Sequence, residues 1–201
     1  MTDLSEQGSL VTSIALVSYL PDPFASFLDG LRSTLEHHSS SSAHVTVLPP
    51  RPLVMPVEQT WLILRQQLEQ LEPIELELGE VEVFFESKVI HLSIRSGHQQ
   101  LVQLHDKLHT LLNQTVHDQG MEVPGQNIGI HTEPFLYHPH VTLAKDLAER
   151  DWVAGFDFAK RRWNQFGLRT VQLNSVCLVE SSANQQWSDR GNLLLRKFAL
   201  S

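Results

Sequence analysis

The run His44-Val45-Thr46-Val47 returns 96 residues later as His140-Val141-Thr142-Leu143. With 11 histidines and 10 threonines in 201 residues, chance gives roughly 0.6 His-x-Thr occurrences, before an aliphatic partner is required at fixed places. Two full matches therefore point to an internal duplication, and the order of elements around each match agrees. Residues 11–19 are β-branched and apolar, which predicts a strand. Asp22 is a good N-cap with Pro23 after it, and Phe24, Phe27, Leu28, Leu31 and Leu35 keep helical spacing. A short strand over 43–48 ends at Pro49-Pro50. A helix carrying Val57, Trp61, Leu64, Leu68 and Leu71 follows, then a long alternating strand over 74–85.

The second half repeats this order. It predicts a strand over 88–94, a helix marked by Leu101, Leu104, Leu108 and Leu111, and a short strand over 140–144. Asp146 and Glu149 form a capping box for a helix with Trp152, Phe156, Ala159, Trp163 and Phe166 on one stripe. One strand over 170–179 closes the unit. A final strand over 192–199 is joined to it through the polar turn 181–191. The expectation is a single α+β domain over 1–201 built from two β-α-β-α-β units. Lobe one covers about 10–86 and lobe two about 88–199, with a cleft between them. Residues 113–138, with Gly120, Pro124, Gly125, Gly129 and Pro134, break the parallel and read as a long loop, either a lid or a surface excursion.

Strand geometry gives the motif its chemical meaning. Residues i and i+2 share a face, so Val45 and Val47, or Val141 and Leu143, anchor in the core while His and Thr stand together on the other side. One imidazole–hydroxyl pair from each lobe suits a tetrahedral phosphate. Hydroxyls hold non-bridging oxygens, one His activates water, and the other protonates the leaving oxygen.

These residues resemble the two-histidine (2H) phosphoesterases, which include the 2′-5′ RNA ligase and RNA 2′,3′-cyclic phosphodiesterase group. The resemblance rests on the paired motifs, on the run His44–Pro50, and on Tyr137-His138-Pro139-His140-Val141-Thr142-Leu143-Ala144. It implies a bilobal two-histidine phosphoesterase fold and a hydrolase that needs no metal or cofactor, opening 2′,3′-cyclic phosphates at RNA ends to 2′-phosphates. It also implies His44 as the acid, His140 as the base, and Thr46 and Thr142 as phosphate holders. Many relatives place Arg where this chain has Lys145, which keeps the charge without the bidentate fork. Arg51, Lys145, His138 and Tyr137 are the further candidates for substrate contact.

Composition narrows the partners. A charged fraction of 19% and a hydrophobic fraction of 41% describe a globular chain. Fifteen Lys and Arg against 23 Asp and Glu leave a net charge of −8, so an RNA end or small cyclic or 2′-5′ nucleotide must be held locally rather than by bulk charge. Residues 1–100 hold 5 basic and 13 acidic side chains and the rest hold 10 of each, which tilts any anion site toward the second half. The single cysteine, Cys177, asks for no oxidising compartment. The acidic start and an apolar stretch over 10–20 that stops at Pro21 suit neither a leader nor a membrane span. The expectation is a cytoplasmic monomer.

Other readings stay open. His91-Leu92-Ser93-Ile94 imitates the motif, but its equivalent in the first unit carries no His. His105 and His109 have the i, i+4 spacing of zinc ligands on a helix, so a zinc hydrolase is a rival, although no third ligand follows at a familiar spacing. A non-catalytic module binding RNA ends is another. Lys160-Arg161-Arg162, and the turn with Trp187 and Arg190, could meet RNA or be ordinary surface.

Overall fold

The computed structural model describes residues 13–36, 41–52, 55–118, 133, 135–145, 147–148, 151–181 and 187–194. Of residues 115–118 and 187–194, only the backbone is described. The elements run β1 (Ser13–Tyr19), α1 (Phe24–Leu35), β2 (His44–Pro52), α2 (Val57–Leu68), β3 (Ile74–Phe84), β4 (Val89–Ser96), α3 (His98–Asp118), β5 (Val141–Ala144), α4 (Trp152–Phe166), β6 (Thr170–Leu173), β7 (Ser175–Ser181) and β8 (Trp187–Leu194). The α+β class and the strand-helix-strand-helix-strand order of both units are as the sequence predicts.

All strands join one sheet in the order β6-β3-β4-β5-β2-β1-β7-β8, and every neighbouring pair is antiparallel. The order is symmetric about the β5–β2 seam, but each unit lends its third strand to the other side. β3 of the first unit lies beside β4 of the second, and β7 of the second lies beside β1 of the first. The halves of the sheet are therefore not the two sequence units taken one after the other.

The sequence predicts one strand over 170–179, and the structure divides it at Asn174 into β6 and β7. In the sheet order these lie six strand positions apart, which is roughly 29 Å in a flat sheet at about 4.8 Å per strand. Leu173 and Ser175 are joined through one residue and can be at most about 7 Å apart. The sheet must therefore curl until its β3 and β1 sides approach, and the 170–181 segment spans both.

Two other boundaries shift. The last described strand begins at Trp187 rather than 192, and 182–186 and 195–199 lie outside the described residues. The start of the predicted 113–138 loop is helix, because α3 runs to Asp118; residues 119–132 and 134 are not described. The Asp146–Glu149 capping box also lies outside the described residues, and α4 begins at Trp152 with Asp151 before it. At α1 the N-cap position is Pro23 rather than Asp22 and the helix begins at Phe24, while the Asp22 carboxylate, one residue further out, accepts from the Ser26 N–H at 3.1 Å and the Ser26 hydroxyl at 2.5 Å.

The main core lies between the helices and one face of the sheet. Phe24, Leu28 and Leu31 of α1, Leu64 and Leu68 of α2, Leu101, Leu104, Leu108 and Leu112 of α3, and Ala159 and Trp163 of α4 pack against Leu16, Val45, Val47, Leu76, Leu78, Ile90, Leu92, Val141 and Leu143. The i, i+3, i+4 stripes read from the sequence are these buried faces. A small cluster of Ala15, Val17, Cys177 and Val179 covers part of the opposite face. That opposite face also carries the polar members of both motifs.

Candidate active site

The two motifs become neighbours where β2 and β5 meet, registered at Val45–Val141. Both valines are fully buried in the core. Continuing the antiparallel register by one residue each way sets His44 opposite Thr142 and Thr46 opposite His140. Each imidazole thus stands beside the hydroxyl of the other motif. The two histidines occupy the diagonal of this square, roughly 7–8 Å apart at the backbone, a span that two imidazoles can bridge around one phosphate.

Both rings are oriented in the same way. His44 Nδ1 lies 2.7 Å from the Ser42 carbonyl and His140 Nδ1 lies 2.7 Å from the His138 carbonyl. A carbonyl only accepts, so each Nδ1 carries the proton and each Nε2 is left for chemistry. Helix α1 secures the entry to the first motif: the Ala43 N–H donates to Asp29 Oδ1 at 2.6 Å, and Arg32 Nη2 donates to the Ser41 hydroxyl at 3.1 Å. Tyr19, registered with His44, meets its ring edge-on at 6.0 Å between centroids.

The same leading cause acts on the two histidines. Burial lowers the pKa of both. For His44 the hydrogen bond to the Ser42 carbonyl acts against burial, the Arg32 charge disfavours protonation, and the Asp29 carboxylate favours it to a smaller degree. The charged neighbours of His140 are His138 and His44, both of which disfavour protonation.

His91 is the site residue that sequence reasoning set aside. It is registered with Thr142, stacks on Phe84 at 3.9 Å, and lies 5.3 Å from His140 between ring centroids. Its Nδ1 faces the carbonyl two residues earlier, that of Val89, at 3.4 Å, as in the two motif histidines. Only 1% of His91 is exposed, and its Nε2 has no hydrogen-bond partner among the described residues. The signal was its motif-like His-x-Ser spacing; what the sequence could not show is that β4 runs beside β5.

Burial first, then the charge of His140, pushes His91 down to about 4. Between the ordinary imidazole value of 6.5 and about 4 the unfolded chain binds the proton that the folded chain refuses. Stability is therefore full above that window and falls as pH drops through it. We expect His91→Gln, which cannot titrate, to show a shallower fall in urea midpoint between pH 7 and 4 than the native chain. Equal slopes would contradict this.

The other sequence candidates divide. His138 meets Phe84 and His98 edge-on, both at 5.5 Å, and stays beside His140. Lys145 follows β5 with an exposed side chain, and its N–H donates to the Glu36 carboxylate. Two candidates are engaged elsewhere. Arg51 is registered with Ile14, on the helix-covered side, and is 4% exposed in an ion pair with Glu133 at 2.7 Å. Its charge is committed there and does not line the motif face. Tyr137 stacks on His105 at 4.0 Å and donates its hydroxyl to the Thr46 carbonyl at 2.7 Å, so it braces the two motifs against each other. Tyr137→Phe removes that donor and is expected to cost about 0.5–1.5 kcal/mol in denaturant unfolding; an unchanged midpoint would remove this bracing role.

The His105 and His109 pair also gains the third group that its spacing did not supply. Glu133 meets both rings on the helix side of the sheet. Burial opposes its ionised form, but hydrogen bonds from His105 and His109 and the charge of Arg51 outweigh it, holding the carboxyl below its usual range. The side chains of Trp187 and Arg190 lie outside the described residues. Lys160-Arg161-Arg162 occupy an exposed stretch of α4.

The chain is similar in fold to several solved proteins. A crystal structure titled as a phosphoesterase superposes with a TM-score of 0.60 at 16% identity, covering 92% of this chain and 99% of that one. E. coli LigT complexed with 3′-AMP gives 0.61 at 14% identity, covering 93% and 99%. A protein of Thermus thermophilus, TT0787, gives 0.55 at 13%, covering 92% and 98%. No curated protein sequence matches the chain. The family model of the 2′-5′ RNA ligase superfamily matches residues 20–185, a span that holds both His-x-Thr runs and the strands that pair them. By that match and the shared fold, the chain belongs to the 2′-5′ RNA ligase superfamily, among the two-histidine phosphoesterases.

Proposed function

We propose that this chain is a phosphodiesterase that opens 2′,3′-cyclic phosphates at RNA ends, or related cyclic or 2′-5′ linked nucleotides, leaving a 2′-phosphate. The observation that carries the reading is the crosswise register of two His-Thr pairs at the β2–β5 seam. His140 takes a proton from water at Nε2 as the water oxygen bonds to phosphorus. The bond from phosphorus to the 3′ oxygen breaks, and His44 delivers its Nε2 proton to that oxygen. Thr46 and Thr142 donate to the non-bridging oxygens, where charge builds in the transition state. Burial and the charges of His138 and His44 favour a neutral His140, and the groups that favour a protonated His44, against its burial and Arg32, are the Ser42 carbonyl and the Asp29 carboxylate. The relative LigT has been crystallised with 3′-AMP, ATP and NADP+, which supports a nucleotide in this fold.

His138 and Lys145 are proposed substrate contacts beside the pair. The proposed setting is a cytoplasmic monomer acting in RNA processing; among the described residues no helix is long and apolar enough to cross a membrane.

The direct test is incubation with an oligonucleotide ending in a 2′,3′-cyclic phosphate, followed by product analysis. Conversion to the 2′-phosphate is expected, and binding without conversion would leave a module that only holds RNA ends. The base must be neutral and the acid protonated, so kcat/KM rises as His140 loses its proton and falls as His44 loses its own. Both pKa values are lowered, so the bell is expected to peak on the acid side of 6.5. A plateau reaching pH 8 would contradict these assignments.

A further inference from the structure

On the helix-covered side of the sheet, α3 carries His105 and His109 one turn apart, and Glu133 closes on both. His105 Nε2 lies 3.0 and 3.1 Å from the two Glu133 oxygens, and His109 Nδ1 lies 3.2 Å from Oε1. One ligand atom from each residue falls within 4.8 Å of the others. Around a zinc-class cation with bonds of about 2.0–2.2 Å, neighbouring tetrahedral ligand atoms stand roughly 3.3 Å apart. The cluster has that scale.

The tautomer of His105 adds a second observation. Its Nδ1 lies 3.0 Å from Asp106 Oδ1, an acceptor, so Nδ1 carries the proton and the Nε2 lone pair of the neutral ring faces the Glu133 carboxylate. Either a second proton on the ring or a cation must lie between the two acceptors, and a cation there takes the place of the proton that His105 otherwise donates to Glu133. An imidazole held through its far nitrogen by a carboxylate is also the usual outer arrangement of a metal-bound histidine. The Tyr137 ring, 6° from parallel with His105, fixes the plane of the imidazole. Arg51 Nη2 donates to Oε1 at 2.7 Å, which orients the carboxylate and leaves Oε2 toward His105.

We propose that His105, His109 and Glu133 bind a divalent cation of the zinc class, which clamps the segment at residue 133 to α3. Two imidazoles and a carboxylate suit zinc or cobalt(II) better than magnesium or calcium. The cation takes Glu133 through Oε2, and Arg51 Nη2, now 3.3 Å from His109 Nδ1, keeps only its bond to Oε1. The site faces away from the motif histidines, so its role is structural. Glu133 lies four residues before Tyr137, whose hydroxyl holds the Thr46 carbonyl, and the clamp therefore stiffens the approach to the second motif.

The test titrates the full chain, stripped with a chelator and dialysed, with cobalt(II) alone, followed by zinc. The expected result is a visible cobalt band saturating at one ion per chain and displaced by zinc. His109→Ala and Glu133→Gln are expected to weaken binding at least about 10-fold. The double variant His44→Ala with His140→Ala keeps the band, which separates this site from the proposed phosphate cleft. Zinc should raise the Tm of the native chain and of that double variant but not of Glu133→Gln. If Glu133→Gln does not fold, His109→Gln, half-buried and similar in size, decides the matter. A native chain that binds no cobalt overturns the proposal. So does a band retained in both His109→Ala and Glu133→Gln, or one lost in the His44 and His140 double variant.

Discussion

Turnover of a 2′,3′-cyclic nucleotide is expected to fall about 10²–10⁴-fold in His44→Ala and in His140→Ala, the range of a positioned general acid or base. The loss should sit in kcat, because a positioned proton donor or acceptor matters most once charge moves in the transition state. Neither ring contributes much to stability. Each makes one hydrogen bond to a nearby carbonyl, of Ser42 or His138, and both rings are only partly buried, so the unfolding free energy should change by only about 1 kcal/mol. Activity can therefore be lost from a folded chain, which circular dichroism would verify. The two variants should also differ from each other. A substrate whose leaving group needs no protonation should restore much of the rate to His44→Ala and little to His140→Ala. Near-native rates in either variant would remove the mechanism, and the reverse pattern of rescue would exchange the roles.

The largest loss of stability is expected from Trp163→Ala. Trp163 is fully buried at the centre of α4's inner face, with Phe27 and Phe166 at 6.2 and 5.7 Å between ring centroids and the Arg169 guanidinium 4.2 Å over its ring. Its Nε1–H donates to the Gly79 carbonyl at 2.8 Å. Truncation of a buried Trp costs about 3–5 kcal/mol, a large part of the roughly 5–15 kcal/mol that holds a domain together. Trp163→Phe keeps much of the volume but removes the donor to the Gly79 carbonyl, so it should fall between Trp163→Ala and the native chain. Gly79 itself sits where the β3–β4 register slips, and a Cβ there would meet Ser93 Oγ at 2.4 Å, so a side chain at this β3 position requires the Ser93 hydroxyl to turn away. Guanidinium unfolding checks the series; a Trp163→Ala midpoint close to the native one would contradict the central place given to this side chain.

Much of the site could be read along the chain because the chemistry is local to each motif. His and Thr two residues apart must share a face of a strand, and the aliphatic residues between and after them choose which face is buried. Helical stripes could be read for the same reason, since Leu101, Leu104 and Leu108 need only their own spacing to define an inner side. Residues with one neighbourhood in sequence and another in space were misread. Arg51 follows the first motif by a few positions, yet it reaches Glu133 on the covered side. His91 belongs to the strand whose counterpart has no histidine, and it became a wall of the site only when β4 paired with β5.

By itself, the sequence determined the two units, their elements and the identity of the four motif side chains, because these follow from periods of two and 3.6 residues that each segment carries within it. Tertiary structure decided the rest: that the units trade their third strands, that 170–181 spans both sides of a curled sheet, and that each histidine stands beside the other motif's threonine. Strand partners are chosen by how the apolar faces of distant segments are buried together, and a local pattern says which face is apolar without saying whose. The meeting of Glu133 with His105 and His109 is of the same kind, a neutralisation of charge between segments that no spacing announces.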